Sequence, residues 1–254
     1  AVGASTTGTI WLGLVYAAAA GLILAAVQAN MSHRLTANQF VVGLTLNVLI
    51  VGLTAFLDAE LQPVAERAGV VEIPVLSDIP LVGQAFFGQA WPAYMVYVAV
   101  PLAWFLMFRT RWGLELRACG ENPQSADVSG IHVNRRRRQA IMFAGLCAGL
   151  GGGVLVLGQI SISGYESGHV GLKGIIAIAA VIFGGWTLRG TIFGCLVFGY
   201  FFALQQTLPV LGYRINAQLA ATLPYLVALI VTAAFAARTR QPRALAQPFV
   251  RGLT

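Results

Sequence analysis

Long apolar runs separated by short polar stretches dominate the pattern of this chain. Runs at 10–29, 38–57, 92–108, 139–158, 190–207 and 217–237 are long enough, or nearly so, to cross a hydrocarbon core of about 30 Å as helices. A seventh, 174–186, would reach only about 20 Å as a helix. It is either extended through Gly171 and Leu172 or is a broken, partly re-entrant element, because irregular backbone at membrane depth is tolerated only under protein or beside a water-filled cavity. The pattern predicts an all-α fold, a polytopic transmembrane helix bundle, with 1–254 as a single transmembrane domain.

Small residues recur every four positions, at Ala17, Gly21 and Ala25, at Gly145, Gly149 and Gly153, and at Gly190 and Gly194. That spacing puts each set on one helix face and lets a neighbouring backbone come close. Tight helix packing is expected along these faces.

The chain is 57% hydrophobic and only 10% charged over its 254 residues, where a soluble domain carries roughly a quarter charged residues. Its net charge of +7 raises nucleic acid as a partner. However, 13 of the 16 basic residues fall where they orient helices, so no nucleic-acid partner is expected. Alternating the sides of the runs puts Arg34, a polar island at 109–138, Arg189 and the tail arginines Arg238, Arg240, Arg243 and Arg251 on one side. The other side receives 58–91, 159–173 and 208–216, with six of the nine acids and only Arg67, Lys173 and Arg214 among the basic residues. The first side is then cytoplasmic and holds the C-terminus, and the amino end starts outside. The long extracellular connection 58–91, with Pro74 and Pro80 among apolar neighbours, reads as an ordered cap with room for a short interfacial helix. It would serve either as a lid over the helix ends or as a surface for an extracellular partner. The sequence opens AVGASTTGTI, with no initiating Met and no secretory signal pattern, and is expected to enter partway into a longer chain.

No catalytic constellation emerges. A G-x-x-x-x-G-K-[ST] loop is absent and Lys173 is the only lysine, which excludes ATP binding of the P-loop kind. His33, His132 and His169 fall in loops on opposite sides, which excludes a shared metal site. Cys119, Cys147 and Cys195 cannot pair completely, and two of them lie inside apolar runs, so no disulfide framework is expected. None of the runs has an ionisable residue near its middle, which argues against proton- or sodium-coupled transport. The polar groups they do hold are neutral: Gln39, Thr45, Asn47, Gln159, Gln205 and Gln206. Each amide can bind a neutral polar solute or a neighbouring helix. Asn47, nearest mid-membrane, leads the candidates for a substrate pathway, with Gln39 and Gln205 after it.

The island 109–138 holds seven arginines and three acids. Within it Gly120, Glu121, Asn122 and Pro123, followed by Ala126, Asp127, Gly130 and Ile131, read as a turn leading into a short helix. Asn122 is a good cap, Pro123 suits the first helical position, where its missing N–H costs nothing, and Gly130 permits a sharp exit. A short capped helix held outside the membrane by two spans is a rigid lever. The run Arg135 to Arg138 lacks the aromatics of a nucleic-acid platform and fits a snorkelling anchor beside 139–158. Cys119, inside the island, is expected to be open to a water-soluble thiol reagent from the cytoplasmic side.

The stretch LRACGENPQSADVSGIHVNRRR at 116–137 resembles the cytoplasmic loop of permease subunits of ABC importers in the branched-chain amino acid, ribose and simple-sugar group. PLAWFLMFRTRWG at 101–113, IPVLSDIPLVG at 73–83 and GIIAIAAVIFGGW at 174–186 make it most similar to the nucleoside and simple-sugar permeases. The resemblance implies a type II importer fold, with the N-terminal helices of that fold missing from this sequence, and a coupling helix at Glu121–Ile131 seated on an ATPase subunit. It implies import of a nucleoside or simple sugar through the inner membrane of a prokaryote. This chain would bind no cofactor; ATP and Mg would sit in the ATP-binding subunits. Further implied partners are a second permease, identical or homologous, and an extracellular substrate-binding protein. The rivals are a branched-chain amino acid permease and an integral membrane protein with no transport role. Members of the group often carry an acid near FGYFFALQ, where this chain has Phe201 and Phe202.

Overall fold

The computed structural model describes residues 9–35, 37–61, 68–72, 86–160 and 173–212, with scattered positions from 222 to 249. The chain divides into two compact units, Ala1–His169 with Ala246–Thr254, and Val170–Leu245.

The first unit contains helices α1 (Ile10–His33), α2 (Gln39–Leu61), α3 (Met95–Arg109), α4 (Arg111–Glu121), α5 (Pro123–Val128) and α6 (Val133–Leu155). Helices α1 and α6 run antiparallel, and Ala17, Gly21 and Ala25 meet Gly153, Gly149 and Gly145 in reverse order. A Cβ built on Gly153 would stand 3.0 Å from that of Ala17. Two of the predicted small-residue faces are therefore one interface. Its strength comes from van der Waals contact between close backbones, since lipid tails are as apolar as the side chains they would replace.

The ends of this unit differ in chemistry. At one end Leu14 and Leu157 are buried together against Trp91 and Met95, and the Trp11 and Trp91 rings lie 4.2 Å apart. Strand β1 (Val70–Glu72) pairs antiparallel with β2 (Gly88–Ala90), with Val70 opposite Ala90. The Ala68 N–H donates to the Leu157 carbonyl at 3.0 Å, bringing the ribbon to this end. The connection read as 58–91 thus begins later than its polarity indicates, because α2 carries Asp58 and Glu60 through to Leu61. Among the described residues it holds this ribbon, with Phe86 and Phe87 helical just before β2; the rest of the stretch expected to hold an interfacial helix lies outside the described residues. The Tyr94 hydroxyl fastens that ribbon by reaching the carbonyls of Val71 at 2.8 Å and Phe87 at 2.6 Å. Pro74 and Pro80 lie outside the described residues.

The second unit contains α7 (Lys173–Phe183) and α8 (Leu188–Val210). With 11 residues, α7 reaches about 16 Å, too little to cross a bilayer. It stops short of the predicted 174–186 because Gly185 and Trp186 adopt φ of 62° and 59°. Thr187 then starts α8, its Oγ1 accepting the Gly190 N–H at 3.2 Å. A Cβ on Gly194 would stand 2.6 Å from the Ala180 carbonyl oxygen, so the third small-residue face is also an interface.

Among the described residues five helices are long and apolar enough to span: Ile10–His33, Gln39–Leu61, Trp91–Arg109, Val133–Gly158 and Leu188–Gln205. The run predicted at 217–237, like Gly171 and Leu172, falls outside the described residues or is described only in scattered positions. Large apolar side chains such as Trp11, Phe40 and Val48 face outward, as a lipid-facing surface requires. The chain is an all-α, multi-pass membrane protein.

A capped helix and an amide-lined cavity as the candidate functional site

The island at 109–138 is mostly helical. Thr110 adopts an extended conformation, φ −111° and ψ 155°, which ends α3. Its Oγ1 accepts the Gly113 N–H at 3.2 Å and starts α4. Gly120 and Glu121 form the last turn of α4, where a turn was expected, because the chain breaks only at Asn122, with φ −146° and ψ 95°. The Asn122 Oδ1 accepts the Ser125 N–H at 3.0 Å, and Pro123 follows at the first helical position, as the sequence predicts.

The exit of α5 is equally defined. Gly130 has φ 84°; its N–H donates to Asp127 at 2.9 Å, and the Ile131 N–H reaches back to Ala126 at 3.0 Å. Ile131 also packs against the buried group that contains Ala126, and the two bonds make the helix stop that a left-handed glycine permits. The short helix is therefore Pro123–Val128, with Glu121 in the preceding helix and Gly130 and Ile131 in the stop.

Residues two apart on a helix point to opposite sides. Ala126 faces inward and is buried with Cys119 and Val133, whereas Val128 is 90% exposed, and Gln124 and Ser125 are exposed with it. Val128 escaped the sequence reading, although its offset from the only apolar inward residue of the helix was the signal available.

The corner beneath α5 is held by side chains read from sequence as membrane anchors. Helix α6 begins at Val133, so Arg135 to Arg138 lie in its first turns. Arg136 pairs with Glu115 and donates to Gln139 at 3.0 Å, and the Trp112 indole N–H shares that Gln139 oxygen at 3.1 Å. Arg137 donates to the carbonyls of Cys119 at 3.1 Å and Gln247 at 2.7 Å. Two of the four arginines thus bind protein, a correction to the snorkelling reading; Arg135 and Arg138 remain exposed. Cys119 is 0% exposed, which overturns its expected accessibility: it lies on the inward face of α4 under Val133. Burial pushes its thiol up from the ordinary range, against the nearby Arg137 charge.

Within the first unit a cavity of about 450 Å³ is lined by residues of α1, α2 and α6, with Gln28, Gln39 and Asn47 among Leu24, Leu46, Ile50 and Ile141. Gln39 and Asn47 share a face of α2, about 12 Å apart along its axis. Thr45 bonds its own helix instead, through the Val41 carbonyl at 2.9 Å. Gln28 was missed by sequence reasoning, although it continues the Ala17, Gly21, Ala25 face by three residues. Gln205 lies on α8 in the other unit and is not among the residues lining this cavity.

A membrane-spanning bundle with an amide-lined cleft between three of its helices and a capped helix at its polar end has the build of a permease. The family model for the permease component of branched-chain amino acid transport systems matches residues 1–236, and the chain belongs to that family. It is 32% identical to the guanosine ABC transporter permease protein of Bacillus subtilis, over 95% of this chain and 78% of that protein. It is also 32% identical to the nucleoside ABC transporter permease protein of Lactococcus lactis, over 93% of this chain and 76% of that protein. The ribose import permease protein of Escherichia coli is 30% identical over 49% of this chain and 39% of its own length. The likeness to nucleoside and sugar permeases seen in the motifs is the likeness found here. No solved structure matches the chain.

Proposed function

We propose that this chain is the membrane-spanning permease subunit of an ABC importer that moves a nucleoside or simple sugar inward. The observation that carries the proposal is α5, a six-residue helix capped at both ends and bearing Val128 outward. A helix so short is not stable alone, and here both caps and a buried Ala126 hold it rigid. It would seat on an ATP-binding subunit, which holds ATP and Mg, and pass motion into α4 and α6. The arginine-rich end then faces the cytoplasm, together with the tail at Gln247 and Phe249. A second permease, identical or homologous, and an extracellular substrate-binding protein complete the assembly in a prokaryotic inner membrane, with 1–254 acting as one permease domain.

The cavity supports the substrate class. Its polar groups are three amides without a charged neighbour in the lining, which suits a neutral solute with hydroxyls and a ring better than an amino acid zwitterion. The test is isolation of the assembled complex with wild-type chain and with Val128→Asp. The variant should fold as the wild type does, since Val128 touches little of its own chain, and should lose the ATP-binding subunits. Full retention of those subunits would remove α5 from the contact.

A further inference from the structure

We infer that Phe249 and its neighbour Gln247, from the C-terminal tail, are positioning residues for α5, so that the tail is part of the lever and not a trailing end. The inference rests on the proposed docking of an ATP-binding subunit at α5 and assigns that site its regulation from within the chain.

Three contacts meet at one place. Phe249 packs on the buried group formed by Cys119 of α4, Ala126 of α5 and Val133 of α6. Its carbonyl accepts from the Asn134 amide at 3.4 Å. The Arg137 guanidinium bridges the tail carbonyl of Gln247 and the α4 carbonyl of Cys119. A cation donating to the last carbonyls of a helix satisfies groups that the helix leaves open, and here one arginine joins that helix end to the tail.

The apolar base of α5 is a single methyl group, that of Ala126, so whatever lies against it decides how firmly the helix stands. Phe249 is the bulkiest of the apolar side chains, with Ala118 and Ile131, that pack against the buried group containing Ala126. A push at Val128 has to leave α5 through Ala126 and the helix stop, and a yielding base would absorb it.

The complete importer complex carrying Phe249→Ala or Phe249→Leu tests this, with two readings per variant: alkylation of Cys119 by a charged maleimide, mapped by peptide, and ATP hydrolysed per solute imported. Phe249→Ala should speed Cys119 alkylation on the order of tenfold, because the buried group that holds the thiol loses an apolar side chain packed against it, and should raise ATP consumed per solute several-fold. Phe249→Leu, keeping an apolar cover, should return both readings close to wild type. If the Ala variant fails to assemble, Arg137→Lys gives the same two readings by loosening the double carbonyl bridge. Unchanged protection of Cys119 overturns the inference, and so does an exposed Cys119 with an unchanged ATP-to-solute ratio, which reduces Phe249 to packing. A wild-type complex without ATP-driven uptake would instead remove the transport reading, an outcome visible before any variant is made.

Discussion

Gly145 meets Gly21 backbone to backbone: a Cβ built on Gly145 would stand 2.6 Å from the Gly21 carbonyl oxygen. Neither helix can accept a side chain there without moving. Gly145→Val should therefore lower the stability of the detergent-solubilised protein by about 1–3 kcal/mol through overpacking, read as a drop in thermal midpoint. Gly152→Ala, at a position with nothing within 4 Å, is the control. It should be neutral or gain up to about 1 kcal/mol from reduced backbone freedom in the unfolded chain.

Gly130 sits at φ 84°, in the left-handed region that costs an L-residue roughly 1–2 kcal/mol. Gly130→Val should loosen the helix stop while leaving α1 and α6 packed. The thermal midpoint should fall only slightly, but ATP hydrolysis should separate from uptake. Normal ATP-driven uptake by this variant would reduce α5 to a linker.

The small-residue faces, the five spans among the described residues and the cap residues of α5 were legible in the sequence because each is a local code. Spacing of four puts glycines on one face, and Asn-Pro with a later Gly fixes a short helix from within. What was not legible depended on partners distant in sequence. Cys119 looked exposed because its neighbours are polar, and only the fold buries it with Ala126 and Val133 in a group against which Phe249 packs. Arg136 and Arg137 looked like lipid anchors because their partners, Glu115 and the Gln247 carbonyl, lie 21 and 110 residues away. Gln28 drew no notice in the sequence, because only α2 beside it makes it part of the cavity lining. The ribbon at Val70–Glu72 was too short for any alternation to appear.

The burial of Cys119 has a pH signature. Its thiol is held above the ordinary value by desolvation, so the unfolded chain loses that proton first as pH rises. The folded state then binds more protons than the unfolded state, and stability falls as pH climbs above about 9. Below that it is unaffected by this group. Thermal midpoints measured from about pH 7 to pH 10 should decline at the alkaline end for wild type and decline less for Cys119→Ala. Parallel curves would show that the thiol is not desolvated.

Asn47 lines the cavity and makes no side-chain hydrogen bond to another described residue. Asn47→Leu should slow uptake several-fold while changing stability by no more than the roughly 0.6 kcal/mol typical of an interhelical hydrogen bond. Gln28→Leu should behave alike. A large loss of thermal stability with normal uptake would assign these amides to helix packing.

In the proposed function a neutral solute crosses this bundle under power from a subunit docked at α5. Uptake into proteoliposomes holding the full complex, with its binding protein and internal ATP, tests it with labelled uridine, ribose and leucine at equal concentration. The expected result is ATP-dependent accumulation of the nucleoside, less of ribose, and leucine at background. Leucine accumulation without nucleoside or sugar uptake would contradict it.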